Sequence, residues 1–425
     1  MRDPFVRTLL AGMILGAAAC ARQGAPSGGV GEQLPPFVIA TVPDTFAVLE
    51  RVRGPVVLRF QERISERAAE GTLEQAVLIS PEPEEVRVRH RRRSLEVTPV
   101  GGFRSGVIYR ITLLPVVRDL FGSRMEDPFE LVFSTGPAEF PETVLAAVVH
   151  DRITGDPVEG YRVESSAPDS LRYVGITDGD GIAILRFLPP GGHQITAYLD
   201  RNRNRIPDFT EPQGRVAVEL APSDTVVMAV PVLQPDTTPA VLTRVEPLDS
   251  LSIRLAFDDY LDPARPPAEV GVRVLQDSIP LGTVRGVFHR FQLDSLLAVE
   301  GAAATEEEPE FPEVETGPDG LPLPARELFI LLSIPLLPEL SIEVEVEGVT
   351  NISGVTGGGG SGGFVVEPPP EPEPEEEVPE TSPEPGGEPP DTPAATGAEP
   401  PLPDPPPPPP PGGAALAHPT RIHGG

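Results

Sequence analysis

Residues Tyr173–Asp200 read YVGITDGDGIAILRFLPPGGHQITAYLD. Apolar and β-branched residues come in short runs, separated by turn chemistry. Asp178-Gly179-Asp180-Gly181 is a hairpin signal, and Pro189-Pro190-Gly191-Gly192 is a hard break. The flanking stretches, VLAAVVHDRITGDPVEGYRVESS (Val144–Ser166) and GRVAVELAPSDTVVMAVPVL (Gly214–Leu233), repeat the pattern, with Gly155-Asp156-Pro157 as another turn. A unit spanning about 142–234 therefore reads as strand and turn throughout, which predicts a β-sandwich.

The same pattern extends in both directions. Upstream, VVLRFQE (Val56–Glu62), AVLISP (Ala76–Pro81), EVRVRH (Glu85–His90), SLEVTP (Ser94–Pro99), VIYRITLLP (Val107–Pro115) and FELVFSTG (Phe129–Gly136) alternate with a period of two. They predict an antiparallel sandwich over 36–137, with only Ile64–Ala76 reading as briefly helical. Downstream, a unit over 238–366 echoes the first. LAFDDYLDP (Leu255–Pro263) matches LRFQERIS (Leu58–Ser65), and Asn351…Gly354 falls over Asp119…Gly122. An internal repeat of one sandwich type is the simplest account. Within it, the acidic, proline-bearing residues of about 300–326 read as a disordered insertion, and GGGGSGG (Gly357–Gly363) as a flexible connector. From 367 to 425 the chain is rich in proline and glutamate, and it predicts an extended, disordered acidic tail.

The amino terminus is of a different kind. Arg2 and Arg7 precede an apolar run from Thr8 to Ala19, too short to span a bilayer. The run ends in Ala17-Ala18-Ala19-Cys20, which is similar to a bacterial lipobox with alanine in place of the usual leucine. Residues 1–19 read as a lipoprotein signal peptide, Cys20 as the lipidation site and 20–35 as a flexible tether. Cys20 is the sole cysteine, and a lone thiol in an exported chain otherwise lacks a role. Ala21 is not an aspartate, which favours the outer membrane or cell surface of a Gram-negative host.

Composition excludes several function classes. The net charge of −31 argues against nucleic acid. All 33 basic residues are arginine, so a P-loop lysine, a Schiff base and a Ser-Lys hydrolase are ruled out. No G-x-S-x-G occurs, and the six histidines show no metal-ligand spacing. Tyr109 reads as a packed or corner-bonding sandwich tyrosine.

Two constellations stand out. In AYLDRNRNRIPDFTEP (Ala197–Pro212), oxygen-bearing side chains at Asp200, Asn202, Asn204, Asp208 and Glu211 fall at positions 1, 3, 5, 9 and 12 of a calcium loop. Position 6 is Arg205 rather than glycine. Arg201, Arg203 and Arg205 cancel the three carboxylates, so Ca2+ would bind weakly. The competing reading is a turn in which Asp and Asn side chains accept from nearby backbone amides. The second constellation is RVRHRRRS (Arg87–Ser94), where Arg87, Arg89 and Arg91 share one face of a hairpin. They predict either an anion contact or a solvated tip.

The first unit resembles the SbsA-type bacterial Ig-like domain. The residues that carry this are Phe60 with Glu62, VIYRIT around Tyr109, VVRDLFGSRM (Val116–Met125) and Phe133-Ser134-Thr135-Gly136. The third looks like a diverged second copy without the closing FSTG. The middle unit resembles the carboxypeptidase-regulatory-like, transthyretin-related sandwich through DRITGDPVEGYRV, TDGDG and LPPGGHQITAYLDRNRN, with His193 where that family usually has tyrosine. These resemblances imply non-catalytic spacer or binding modules on surface lipoproteins. The expectation is an all-β, non-enzymatic, lipid-anchored cell-envelope protein with a structural, spacer or adhesive role. It would meet the membrane through its lipid and an envelope polymer or protein through its surface. The alternatives are a calcium-assisted peptide- or glycan-binding module and an accessory subunit of an envelope complex.

Overall fold

The computed structural model describes residues 34–136, 140–281, 284–305 and 308–367. The expected signal peptide, Cys20, nearly all of the tether and the proline-rich tail beyond Glu367 lie outside the described residues. The described residues belong to one compact unit, built from three β-sandwiches in succession. Among the described residues no helix is long and apolar enough to cross a membrane.

The first sandwich contains β1 (Val38–Val42), β2 (Ala47–Val48), β3 (Val56–Phe60), β4 (Val77–Ser80), β5 (Val86–Arg91), β6 (Ser94–Pro99), β7 (Ile108–Leu113) and β8 (Phe129–Ser134). They form two sheets in the orders β1-β3-β6-β5 and β2-β8-β7-β4. That is the immunoglobulin arrangement, with a short first-strand extension lying parallel to the last strand. Alternation makes the core: Val56, Leu58 and Phe60 are buried while Arg59 points out. Tyr109 sits near the start of β7 and its hydroxyl accepts from Arg104 N at 2.8 Å, the expected tyrosine corner. Its ring packs on Phe103 and Phe133. Residues 64–76 are not helical. Ile64 instead bridges Asp119 and is buried in the core, which a short helix at that place would prevent.

The middle sandwich contains β9 (Val144–Asp151), β10 (Arg162–Ser166), β11 (Arg172–Ile176), β12 (Ile182–Arg186), β13 (Gly191–Tyr198), β14 (Gln213–Leu220) and β15 (Thr225–Val232). Its sheets are β11-β10-β13-β14 and β12-β9-β15, with β15 parallel to β9. The TDGDG turn joins β11 to β12, strands of opposite sheets, rather than closing a hairpin within one. Asp178 Oδ1 accepts from Asp180 N and Ile182 N to hold it.

The third sandwich contains β16 (Leu242–Pro247), β17 (Ser252–Phe257), β18 (Gly271–Gln276), β19 (Ile279–Pro280), β20 (Val284–Phe288), β21 (Glu327–Leu332), β22 (Ser341–Val349) and β23 (Gly358–Val365). The sheet orders, β16-β17-β21-β20 and β19-β18-β22-β23, repeat the immunoglobulin arrangement of the first sandwich. Most of GGGGSGG belongs to β23 and is therefore not a loose connector. It pairs with β22 along its length. A Cβ on Gly359 would stand 2.1 Å from Val346 O, and one on Gly363 2.4 Å from Ile342 O. Only glycine allows the backbones to approach this closely.

The segment between β20 and β21 also departs from the expectation of disorder over 300–326. Helix α1 (Arg290–Thr305) covers β21, burying Leu293 against Phe329 and Leu331. After it, Thr316 bridges Pro322 in a turn that reaches the middle sandwich. The composition is acidic, but docking gives Asp319 and Leu323 a surface to pack on.

Candidate functional site

The most built polar site of the described chain lies at the boundary of the first two sandwiches. It begins with Glu82. Pro81 and Pro83 bracket it and end β4, since proline supplies no N–H to a ladder. The Glu82 N–H donates to Arg172 O at 2.7 Å, and Ser80 Oγ accepts from Val174 N at 3.1 Å. The edge strand β4 thus meets β11, the edge of the middle sandwich.

The Glu82 side chain is only 4 % exposed and is shared by three arginines of the middle sandwich. Arg162 Nη2 is at 2.5 Å, Arg172 Nη2 at 2.8 Å and Arg205 Nη1 at 3.3 Å. Period-two alternation puts Arg162 and Glu164 on one face of β10, and Arg162 Nε donates to Glu164 Oε1 at 2.6 Å. Tyr198, directly across from Arg162 on β13, donates its hydroxyl to the same oxygen at 2.8 Å. Burial opposes the charge on Arg162, but Glu82 and then Glu164 outweigh it, so its pKa rises above the ordinary value. Burial, reinforced by Glu164, likewise raises the Tyr198 hydroxyl despite the opposing Arg162 charge.

A second arginine crosses in the other direction. Arg110 of β7 is buried, and it donates to Ile184 O at 2.7 Å and Val174 O at 2.9 Å while lying 3.4 Å from Glu130. Desolvation lowers its pKa, with Glu130 opposing. Phe140, just after the connection, makes edge contacts with Phe46 of the first sandwich and Phe187 of the middle one.

The stretch read as a calcium loop is part of this boundary. Glu211 is buried, and its carboxylate accepts from Arg201 N at 2.8 Å and Asp208 N at 3.3 Å. Asp200 Oδ2 accepts from Arg205 N, Asn202 Oδ1 from Asn204 N and Asn204 Oδ1 from Ile206 N. Asp208 Oδ1 accepts from Thr210 N and Oγ1, and Asn202 Nδ2 donates to Asp208 Oδ2 at 2.7 Å. Thr210 above all holds the Asp208 carboxyl below its usual range. Most of these oxygens serve the loop's own amides, while Asp200 Oδ1 is buried without a partner; among the described residues no group of three His, Cys, Asp or Glu could hold a metal ion. Position 6 makes its left-handed turn without glycine: Arg205 has φ 63° and Arg203 φ 59°. Such values are uncommon outside glycine, and here they accompany outward docking. Arg205 reaches Glu82, and Arg203 Nη1 donates to Gln75 Oε1 at 3.1 Å. The alternate arginines, which looked like charge cancellation, are the residues that engage the neighbouring sandwich. A cavity of about 150 Å³ remains between Gln75, Glu82, Arg162, Asp200, Arg203 and Arg205.

The basic hairpin faces as expected: Arg87, Arg89 and Arg91 are exposed along edge strand β5, while Val86 is buried. Arg91 pairs with Glu96 at 3.0 Å, and Arg87 lies 3.9 Å from Glu85.

One pair has the geometry of a nucleophile and base. The His193 Nε2–H donates to Pro189 O at 2.8 Å, which leaves Nδ1 to accept from Ser165 Oγ at 2.7 Å. Ser165 is 0 % exposed and His193 2 %, so the pair is closed to any substrate and ties β10 to β13.

At the other boundary, Arg152 donates through Nη1 and Nη2 to Pro322 O of the third sandwich's insertion, at 3.2 and 3.1 Å. Asp319 Oδ2 stands 3.8 Å from both Arg152 Nε and His150 Nε2. His150 is fully buried, and burial lowers its pKa against the opposing pull of Asp319.

No family model matches the chain, and no curated protein matches its sequence. Solved structures similar to it include the Bacillus anthracis TIE protein, at 10 % identity and TM-score 0.18, with 86 % of this chain and 60 % of that one covered. The N-terminal part of the bacterial S-layer protein SbsC is 12 % identical at TM-score 0.18, covering 44 % of each chain. BcpA, the major pilin subunit of Bacillus cereus, is 9 % identical at TM-score 0.17, covering 47 % of this chain and 70 % of that one. This chain spans less than two thirds of the length of the first two.

Proposed function

We propose that the chain is a non-enzymatic structural element of the bacterial cell envelope, anchored through lipid on Cys20, whose sandwiches act as a coupled unit. The observation that carries this reading is Glu82, buried between sandwiches and shared by Arg162, Arg172 and Arg205. A simple tether needs no buried charges at a domain boundary, because desolvating them is costly unless each is paired. What such a cluster supplies is orientation: one carboxylate can ion-pair with these three guanidinium groups only when the two sandwiches meet in one register. Fixed orientation suits a spacer that holds a surface at a set distance from a membrane. The sequence that looked like a metal loop then serves as the docking arm of this boundary.

Two experiments test the reading. In cell fractionation, the wild-type chain stays with the envelope and Cys20→Ser moves to the soluble fraction; identical partition of the two would remove the anchor. In limited proteolysis, the first two sandwiches are separated from each other more slowly in the wild type than in Glu82→Ala. Equal cutting would remove the coupling.

A further inference from the structure

The loop between β7 and β8 carries the most exposed large apolar residue of the described chain. Phe121 is 92 % exposed and its neighbour Leu120 60 %. The turn that presents them is pinned. Asp119 is 2 % exposed, its Oδ1 accepts from Phe121 N and Ser123 N at 2.8 Å each, and its own N–H donates to Ser123 O at 2.9 Å. The turn does not demand an aromatic in water. In the third sandwich the same turn, Asn351–Gly354, tucks Ile352 inward, with its N–H donating to Tyr260 O at 2.8 Å.

Arginines surround this tip. Ile64 bridges Asp119 and its N–H donates to Arg92 O, which places Arg63, Arg92 and Arg93 beside the turn, and Arg118 precedes it. Arg63, Arg92 and Arg93 are exposed, and among the described residues none of these four is in an ion pair. Of the nearby carboxylates, Glu70 pairs with Arg124 and Glu66 lies 3.9 Å from His90. Glu126 and Asp127 line a cleft with Leu34 and Phe37, where the described chain begins. The described chain also enters at this pole, since Val38 at the start of β1 pairs with Phe60 at the end of β3. Only 14 residue steps separate Cys20 from Leu34 (34 minus 20). Fully extended, they reach at most about 50 Å.

We infer that Leu120 and Phe121 insert into an anionic phospholipid surface, with Arg63, Arg92, Arg93 and Arg118 meeting its headgroups. A rigid apolar tip ringed by cations gains from apolar burial and from attraction to anionic lipid. The inference rests on the membrane-proximal placement proposed above, but it concerns this tip alone and not the lipid on Cys20.

The chain has no tryptophan, so Phe121→Trp in a full-length Cys20→Ser background is a sole reporter. Its emission is expected to shift to the blue with vesicles of phosphatidylcholine and phosphatidylglycerol, and not with phosphatidylcholine alone. Arg92→Glu with Arg93→Glu should weaken the partition by about tenfold. Leu120→Ser with Phe121→Ser should abolish co-sedimentation with the same vesicles while leaving the unfolding midpoint within a few degrees. An unshifted emission with both vesicle types overturns the inference. So does a shift that grows with protein concentration in the absence of lipid, which would assign the tip to a second copy of the chain. Either outcome leaves the Cys20 fractionation result standing.

Discussion

Arg205 Nη1 lies 3.3 Å from Glu82 Oε1, across the boundary between two sandwiches. The arginine stands on a loop whose spacing suggests a calcium site, and the glutamate on a proline-bracketed turn that the sequence leaves unremarkable. Their meeting ties both segments to one role, with consequences that can be measured.

Glu82→Ala removes the one carboxylate that Arg162, Arg172 and Arg205 share. Arg162 is buried and keeps only Glu164 as a partner, so the variant should be destabilised, by less than the about 3–5 kcal/mol that a fully stranded buried charge costs. Chemical unfolding of the full chain measures this. Arg205→Ala, on a side chain that is partly exposed, should cost distinctly less.

Calcium should be without effect. Asp200 Oδ2, Asn202 Oδ1, Asn204 Oδ1, Asp208 Oδ1 and the Glu211 carboxylate already accept from loop amides and hydroxyls, which leaves Asp200 Oδ1 as the buried oxygen without a partner. Thermal unfolding should be the same with millimolar calcium and with chelator. A calcium-dependent rise in midpoint would restore the metal reading.

Much of the architecture was readable in advance, and the reasons are local. Alternation in β3 and β6 is clean because each has one buried face. The echo of Asp119 in Asn351 marks a true structural equivalence: each is buried, each heads a turn, and they bridge Ile64 and Leu261 respectively. What stayed hidden depends on partners distant in sequence. The residues of β23 look like a linker until Val346 and Ile342 are brought within reach of their backbone. The insertion looks disordered until the turn after β9 offers Arg152 to Pro322. Helix α1 did leave a signal, Leu293 with Leu296 and Leu297 at helical spacing, masked by the alanine- and glutamate-rich sequence after it. At the candidate site the ligand-like oxygens drew attention, whereas the arginines between them make the contacts.

Gly359→Ala should destabilise the third sandwich. Its φ of +147° disfavours a side chain, and the added Cβ would meet Val346 O at 2.1 Å. Over-packing of this kind costs about 1–3 kcal/mol or more. Gly360→Ala meets its nearest atom, Leu242 Cβ, at 3.2 Å, although at the same φ. It should cost less, and calorimetry of the two variants separates close approach from backbone strain.

Stability should fall on mild acidification. Burial first of all lowers the pKa of His150, and likewise that of His289, below the ordinary value of 6.5. The unfolded chain therefore binds more protons once pH drops below that value, and stability is lost as pH falls through the folded-state pKa values. His150→Gln should flatten the dependence between about pH 7 and 5, followed as unfolding midpoint against pH. An unchanged slope would show that His150 contributes no linkage.

The central claim, that buried charge fixes the first two sandwiches in one orientation, is tested most directly by a distance distribution. In a Cys20→Ser background, spin labels at Arg59→Cys on β3 and Ala217→Cys on β14 report across the boundary from exposed strand positions. Pulsed dipolar spectroscopy of the full chain should give one narrow distance peak, and adding Glu82→Ala should broaden it markedly. A broad distribution already present with Glu82 intact, or a narrow one that survives its loss, would contradict the claim.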